Sequence, residues 1–212
     1  MSTDRSAPRS PAVRPALDDA VAQFLSTLAI VVPRSADLPA TDRWTVRELA
    51  AHTVRGMAVL GLFQDAAMEP TGPELADAAD YYRVALSTED AHDGIAARAA
   101  DAAGSAPDDL VPWAREVATE MVARVRETPD DAVLVHFAGW LRFDEYLVTR
   151  LVELVIHTLD LQLAGGLAVE APASALAVVN PVLLTLADRA DPVALTLALT
   201  GRVPPSTCNV LS

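Results

Sequence analysis

The sequence predicts a mainly α-helical protein, with a helical bundle over residues 16–166 and a short extension over residues 167–212. Hydrophobic residues make up 51% of the 212 residues, and many of them are alanine, the residue with the highest helix propensity. Aromatic residues make up only 5%, so we expect an aliphatic core. Apolar residues recur at helical spacing between proline and glycine breaks, which predicts a succession of helices.

The first two helices follow from an apolar face and a capping signal. Residues 16–30 have a helical apolar face, and we expect residues 1–15, which are rich in serine, proline and arginine, to be a disordered arm. Thr45 precedes Glu48 by three residues, the spacing of a capping box, in which each side chain accepts a hydrogen bond from the other residue's backbone N–H. A second helix should therefore start after Thr45 and continue to about residue 67.

Shorter elements fill the middle and the end of the chain. Helices are predicted over residues 74–86, 89–103 and 108–127. The first two are acidic and rich in alanine, so we expect them to be peripheral. Residues 133–137 are apolar and fit either a strand or a buried turn. In the extension, residues 173–189 favour a helix interrupted at Asn180-Pro181, and residues 193–199, a short run bounded by Pro192 and Gly201, are compatible with a strand.

The strongest helical pattern runs from Arg142 to Ala164, and Gly165-Gly166 should end it. Most of its residues are aliphatic. Its polar residues have a 3-4-3 spacing, which aligns them on one ridge: Arg150, Glu153, His157 and Asp160.

This ridge has two interpretations. A polar stripe on an apolar helix is usually its solvated face, with Arg150 and Glu153 as a surface ion pair. Alternatively, the ridge faces the bundle interior and holds a cation, because Glu153 and His157 point the same way, one turn apart. The aliphatic remainder of the helix favours a central position, and therefore the second interpretation.

Three further histidines lie elsewhere. His52 follows the capping box, and Gly56, one turn later, leaves space beside its imidazole. A lone histidine on a mixed face is more often a structural residue than a ligand, so the sequence leaves both roles open. His92 lies in an acidic stretch typical of a surface. His136 is a possible outer-shell group of a metal site.

Charge and cysteine content limit the partners and the compartment. The formal net charge of −13 argues against nucleic acid or an anionic membrane as a partner, because both need a basic face. No run of ~18 uninterrupted apolar residues occurs, and we expect a cytoplasmic monomer or homodimer. The single cysteine, Cys208, fits a reducing compartment. All 16 basic residues are arginine, which is typical of GC-rich, for example actinobacterial, genomes.

Three segments, in order along the chain, resemble the mycothiol-dependent maleylpyruvate isomerase family, part of the DinB-like metal-binding bundles. They are WTVRELAAH (Trp44 to His52), TRLVELVIHTLDL (Thr149 to Leu161) and ALTGR (Ala198 to Arg202). The resemblance implies a DinB-like four-helix bundle with a short C-terminal α/β extension. The extension is short compared with family members that have a complete second domain.

The resemblance also implies roles for individual residues. The metal ligands of the family match His52, Glu153 and His157, and zinc is the default ion, with nickel, iron and manganese left open. Asp160 would then be an outer-shell residue that holds an imidazole in place, and Arg150 would pair with a nearby carboxylate. Arg202 matches, less securely, a terminal arginine that binds the substrate or the thiol.

Together these roles predict an enzyme that uses a divalent metal and mycothiol. The metal-bound thiolate would attack a small-molecule electrophile; addition, bond rotation and elimination would give an isomerase, and addition alone an S-transferase. The alternative is a non-catalytic metal- or ligand-binding bundle that acts as a sensor or interaction module. Three protein ligands with an open coordination position favour the enzyme, whereas a fourth, such as His136, would favour a structural site.

Overall fold

The computed structural model describes residues 12–62, 72–87, 91–136 and 139–211, and helices dominate these segments. The helices are α1 (Val13–Ser35), α2 (Val46–Leu62), α3 (Ala78–Ala85), α4 (Ala91–Ser105), α5 (Leu110–Glu127), α6 (Phe143–Ala164), α7 (Ala173–Ala190) and α8 (Pro192–Leu199). A hairpin of β1 (Val133–His136) and β2 (Gly139–Arg142) precedes α6, and a 3-10 helix (Pro205–Cys208) follows α8.

Four of these helices form a closed bundle. α1 packs on α6, α6 on α2, α2 on α5, and α5 on α1, while α4 packs on the outside of α2. The fully buried residues are mostly aliphatic, and the largest include Phe24, Leu28, Leu49, Tyr146 and Leu151. The predicted mainly helical fold with a four-helix bundle is therefore confirmed.

The capping box is present at the start of α2. The backbone N–H of Thr45 donates to Glu48 Oε2 at 2.8 Å, and the backbone N–H of Glu48 donates to Thr45 Oγ1 at 3.3 Å. α2 accordingly begins at Val46. Its predicted end, near residue 67, lies outside the described residues.

The first helix begins earlier than the sequence suggested. α1 starts at Val13, so residues 13–15 of the expected disordered arm are helical, and Pro15 lies in the first turn, where its missing N–H costs no hydrogen bond. The guanidinium of Arg14 bonds to Asp130 and to the Thr128 carbonyl, which ties this end of α1 to the end of α5. Residues 1–11 lie outside the described part.

The segment at residues 133–137 is a strand at its described positions. β1 pairs antiparallel with β2, and Val133 lies opposite Arg142. On the other side of β2, the backbone of Trp140 exchanges hydrogen bonds with Pro73 and Leu75. Gly139, with φ of 138°, allows this close approach, because a Cβ there would collide with the carbonyl oxygen of Pro73.

The C-terminal extension is helical where we expected a strand. Residues 193–199 lie in α8, so that prediction was wrong: Asp191 caps the helix by accepting from the N–H groups of Val193 and Ala194, and Pro192 occupies the first turn. α7 continues through Pro181, whose exposed position tolerates the lost hydrogen bond. α7 packs on α1, α3 and α6, so it belongs to the same packed body as the bundle.

Two helices, α1 and α7, are long and apolar enough to cross a membrane by length and composition alone. In α1 the apolar residues are core residues, because Leu17, Phe24 and Leu28 are almost completely buried against the other helices. α7 likewise lies against α1 and α6. Their hydropathy is therefore weak evidence for a membrane segment.

Candidate metal centre

The polar ridge of α6 faces α2 inside the bundle. The ring centroids of His157 and His52 are 5.4 Å apart, and the side chain of His157 is only 12% exposed. One turn away, Nη1 of Arg150 lies 3.9 Å from the position that a Cβ on Gly56 of α2 would occupy. The ridge is therefore not a solvated helix face.

Three residues bring potential metal ligands to one point between α2 and α6. One side-chain nitrogen or oxygen from each of His52, Glu153 and His157 lies within 4.8 Å of the corresponding atoms of the other two. Two zinc–ligand bonds of ~2.1 Å span at most ~4.2 Å, so binding one ion requires only a small rotation of these side chains.

Unsatisfied polar atoms are concentrated at this point. In the described part of the chain, three buried side-chain atoms have no hydrogen-bond partner: Trp44 Nε1, His52 Nδ1 and His157 Nε2. His157 Nε2 does, however, lie at ion-pair distance from Glu153 Oε2, at 3.2 Å. Buried polar atoms without partners are rare because each one loses its hydration, so Trp44 Nε1 and His52 Nδ1 together favour a site that is completed by a ligand.

Trp44 forms a wall beside the two histidines. Its ring centroid lies 4.8 Å from that of His52 and 5.7 Å from that of His157. Trp44 immediately precedes the capping residue Thr45, so the capping box that starts α2 also fixes the backbone from which this indole projects. The ring shields the histidines from water and strengthens electrostatic interactions between them.

Glu153 is held by a residue that we did not predict. The Tyr82 hydroxyl lies 3.0 Å from Glu153 Oε1 and 2.9 Å from the Thr149 carbonyl oxygen.

The start of α3 is bonded to α6. Glu145 accepts a hydrogen bond at 3.1 Å from the backbone N–H of Ala78, the first residue of α3. We expected residues 74–86, which include α3, to be peripheral. That expectation was wrong, because α3 docks against the residues of α6 that lead to the site.

The two histidines have opposite pKa shifts. Burial and, to a lesser extent, the positive charge on nearby His157 lower the pKa of His52 to about 4. Burial also disfavours protonated His157, but the neighbouring carboxylates of Asp160 and Glu153 outweigh it and raise its pKa to about 9. At neutral pH and without metal, His52 is neutral and His157 is protonated.

Two carboxylates flank His157 and differ in role. Asp160 Oδ2 lies 3.5 Å from Nδ1 of His157, on the side away from Glu153. Burial opposes ionisation of Glu153, but His157 and Arg150 outweigh it and lower its pKa to about 2. An ionised Glu153 and a carboxylate on the second imidazole nitrogen are the arrangement of a metal-binding histidine with an outer-shell partner.

Arg150 lies next to these groups on the same ridge. Its Nε donates to Thr149 Oγ1 at 3.2 Å, and its guanidinium carbon lies 5.0 Å from the ring centroid of Tyr146 and 5.9 Å from that of Tyr81. Burial disfavours its charge, but the surrounding tyrosines and Glu153 raise its pKa above the usual value. Arg150 is therefore charged.

Other candidate residues lie elsewhere. Arg202 is exposed on the turn after α8, where its guanidinium donates to the Thr200 carbonyl at 3.3 Å. It lies outside the cluster, and its role in binding a substrate or thiol stays a prediction. The side chains of His92 and His136 are outside the described part of the structure. Cys208 is half-buried in the C-terminal extension.

The residues present fit a divalent cation with an open coordination position. The set combines two imidazoles and a carboxylate, which is a common ligand set of catalytic zinc, and the side chain of Glu153 remains 32% exposed. Among the residues that the structure describes, the candidate cluster has three members. An open position suits the binding of a second molecule at the ion.

One of the comparisons with known proteins found a match. A family model described as the mycothiol maleylpyruvate isomerase N-terminal domain matches residues 14–162, which run from α1 to the last turn of α6. No curated protein and no solved structure matches the chain. The matched range contains His52, Glu153 and His157, whereas Arg202 lies beyond it.

Proposed function

Because the chain belongs to the mycothiol maleylpyruvate isomerase N-terminal domain family, we propose that it is a cytoplasmic enzyme that depends on a divalent metal, by default zinc, and on mycothiol. It adds the thiol to a small electrophile, either as an isomerase or as an S-transferase. The observation that carries the proposal is the meeting of His52, Glu153 and His157 at one point, with a buried imidazole nitrogen of His52 that lacks a partner.

The side chains of this site would act mainly by binding and positioning. His52, Glu153 and His157 would hold the ion, Asp160 would fix the imidazole of His157, and Tyr82 would fix the carboxylate of Glu153. A bound divalent ion would lower the pKa of a coordinated thiol, so that the reactive thiolate is present at neutral pH. Trp44 would exclude water from the side of the site where its ring contacts His52.

The proposed reaction needs no nucleophile from the protein. In the isomerase, a sulfur–carbon bond forms, the adjacent carbon–carbon bond rotates, and the sulfur–carbon bond breaks, so the thiol is returned unchanged. In the S-transferase, the sulfur–carbon bond remains and a proton is added to the neighbouring atom. The half-buried Cys208 has no role in either case.

Metal content measured by mass spectrometry tests the proposal. Protein purified without chelator should contain close to one equivalent of metal, and His52→Ala and His157→Ala should lose it. Glu116→Gln, which removes an exposed carboxylate from α5, is the matched control and should keep it. A parent protein that binds no zinc, nickel, iron or manganese after reconstitution would contradict the proposal.

A further inference from the structure

Arg150 differs from the other inward-facing arginines in its partners. Arg142 bonds to Asp144 and Arg14 bonds to Asp130, so each pairs with a carboxylate. In the part of the chain that the structure describes, Arg150 forms no ion pair of this kind. This is unexpected in a chain with 29 acidic and 16 basic residues, because a buried charge is normally paired.

The described groups that contact Arg150 hold its guanidinium in place, and none of them is a carboxylate. The hydroxyl of Thr149 accepts from Nε, and the rings of Tyr81 and Tyr146 lie beside the guanidinium. A hydrogen bond also links Arg150 to Tyr81. These neutral groups fix the orientation of the guanidinium, as is usual where an arginine recognises a planar anion.

Glycine at position 56 leaves the position of a side chain open beside the guanidinium. Gly56 lies one turn after His52 on α2. Apart from the adjacent residues and the nearby helix backbone, Nη1 of Arg150 is the one atom of the described residues within 4 Å of a Cβ built there, at 3.9 Å. Arg150 likewise lies one turn before Glu153 on α6. The guanidinium and the open position at Gly56 therefore lie one helical turn from the candidate metal ligands.

We propose that Arg150 is the binding residue for a carboxylate on a small molecule that binds beside the candidate metal centre. The proposal rests on the proposed function only where it places the small molecule beside a metal centre. That Arg150 has no carboxylate partner among the described residues, and that position 56 carries no side chain, do not depend on a metal. It assigns anion recognition to α6, whereas the sequence motifs pointed to Arg202. The carboxylate belongs either to the thiol or to its electrophilic partner, and two probe pairs distinguish these sources.

Calorimetric titration of the full chain with matched probes tests the proposal. Mercaptoacetate and mercaptoethanol differ in a carboxylate on a thiol, and fumarate and fumaramide differ in carboxylates on an electrophilic alkene. At constant ionic strength, we expect the parent to bind the carboxylate member of at least one pair about tenfold more tightly, the effect of a hydrogen bond to a charged group. The thiol pair responds if the carboxylate is on the thiol, and the alkene pair responds if it is on the electrophile.

The variants identify the residue responsible. Arg150→Gln should abolish the preference for the carboxylate member, while Arg55→Gln, which removes the same charge from the exposed face of α2, should keep it. If Arg150→Gln does not fold, Gly56→Leu leaves the arginine in place, fills the space beside it, and should also abolish the preference. Equal binding within each pair by the parent, or a preference that survives both changes, would overturn the proposal.

The titrations are run on zinc-loaded and on metal-free protein. A carboxylate preference that depends on Arg150 but appears without bound zinc would support this proposal even if the metal-dependent function fails. Stoichiometric zinc without any carboxylate preference would overturn this proposal and leave the proposed function intact.

Discussion

Tyr82→Phe is the sharpest test of how the candidate metal centre is held. The change removes one oxygen, which lies 3.0 Å from Glu153 Oε1 and 2.9 Å from the Thr149 carbonyl oxygen. The ring itself is 4% exposed and is retained, so the variant loses a hydrogen bond but no packing. Its single proton serves only one of the two acceptors at a time.

The expected effect follows from those contacts. A hydrogen bond to a charged acceptor contributes ~1.5–3 kcal/mol, and one to a neutral acceptor ~0.5–1.5 kcal/mol. Because the side chain of Glu153 is 32% exposed, water replaces part of the lost interaction, and we expect the free energy of unfolding to fall by ~1–2 kcal/mol. Metal affinity should fall ~10–100-fold, as is usual when the partner of a ligand is removed.

Urea unfolding gives the first quantity, and competition with a chelator of known affinity gives the second. Tyr81→Phe is the matched control, since its hydroxyl is hydrogen-bonded to Arg150 and the change leaves the Tyr82–Glu153 contact intact. The reasoning is refuted if Tyr82→Phe binds zinc as tightly as the parent, or if Tyr81→Phe weakens zinc binding equally.

Three further predictions concern the metal-free protein. NMR of the imidazole protons should show His157 titrating near pH 9 and His52 near pH 4, whereas both have a pKa of 6.5 in the unfolded chain. The contribution of His157 to the free energy of unfolding is then complete below pH 6.5 and is lost as the pH rises to 9. His52 has the opposite effect: because its folded state resists protonation, the free energy of unfolding falls as the pH drops from 6.5 to 4. Titration of both histidines near pH 6.5 would contradict this prediction. Gly165→Ala would place a Cβ 2.6 Å from Cγ2 of Val31, and the overpacking should lower the urea midpoint by the equivalent of ~1–3 kcal/mol; an unchanged midpoint would contradict it. Thr45→Ala should lower the free energy of unfolding by ~1 kcal/mol through loss of the cap, and Thr45→Ser should largely retain it.

The parts of the structure that local spacing determines could be predicted from the sequence. A helix of 3.6 residues per turn necessarily aligns Glu153 with His157, and the aliphatic remainder of α6 indicated a central position. The capping box predicted where α2 begins. In both cases the controlling interactions are made between residues at most four positions apart.

The predictions that were missing or wrong concern features that depend on tertiary contacts, or on a sequence signal to which we gave too little weight. Tyr82 reaches Glu153 from α3, and the start of α3 is bonded to Glu145, a contact between residues 67 positions apart that no local pattern contains. Residues 193–199 are a short apolar run, for which periodicity does not separate strand from helix. The deciding signal was the adjacent pair Asp191-Pro192, a cap followed by a first-turn proline.

The candidate metal centre also lowers the free energy of unfolding of the metal-free protein. Each buried polar atom without a partner costs about 1–3 kcal/mol, and Trp44 Nε1 and His52 Nδ1 lie within one cluster. A typical domain is stable by only ~5–15 kcal/mol, so two such atoms are a large loss of stability where aliphatic side chains would pack well. A single cation would satisfy both imidazoles together with Glu153, and an acceptor on a bound molecule would satisfy the indole. The same atoms that weaken the metal-free fold are thus those that a metal and its ligand would use.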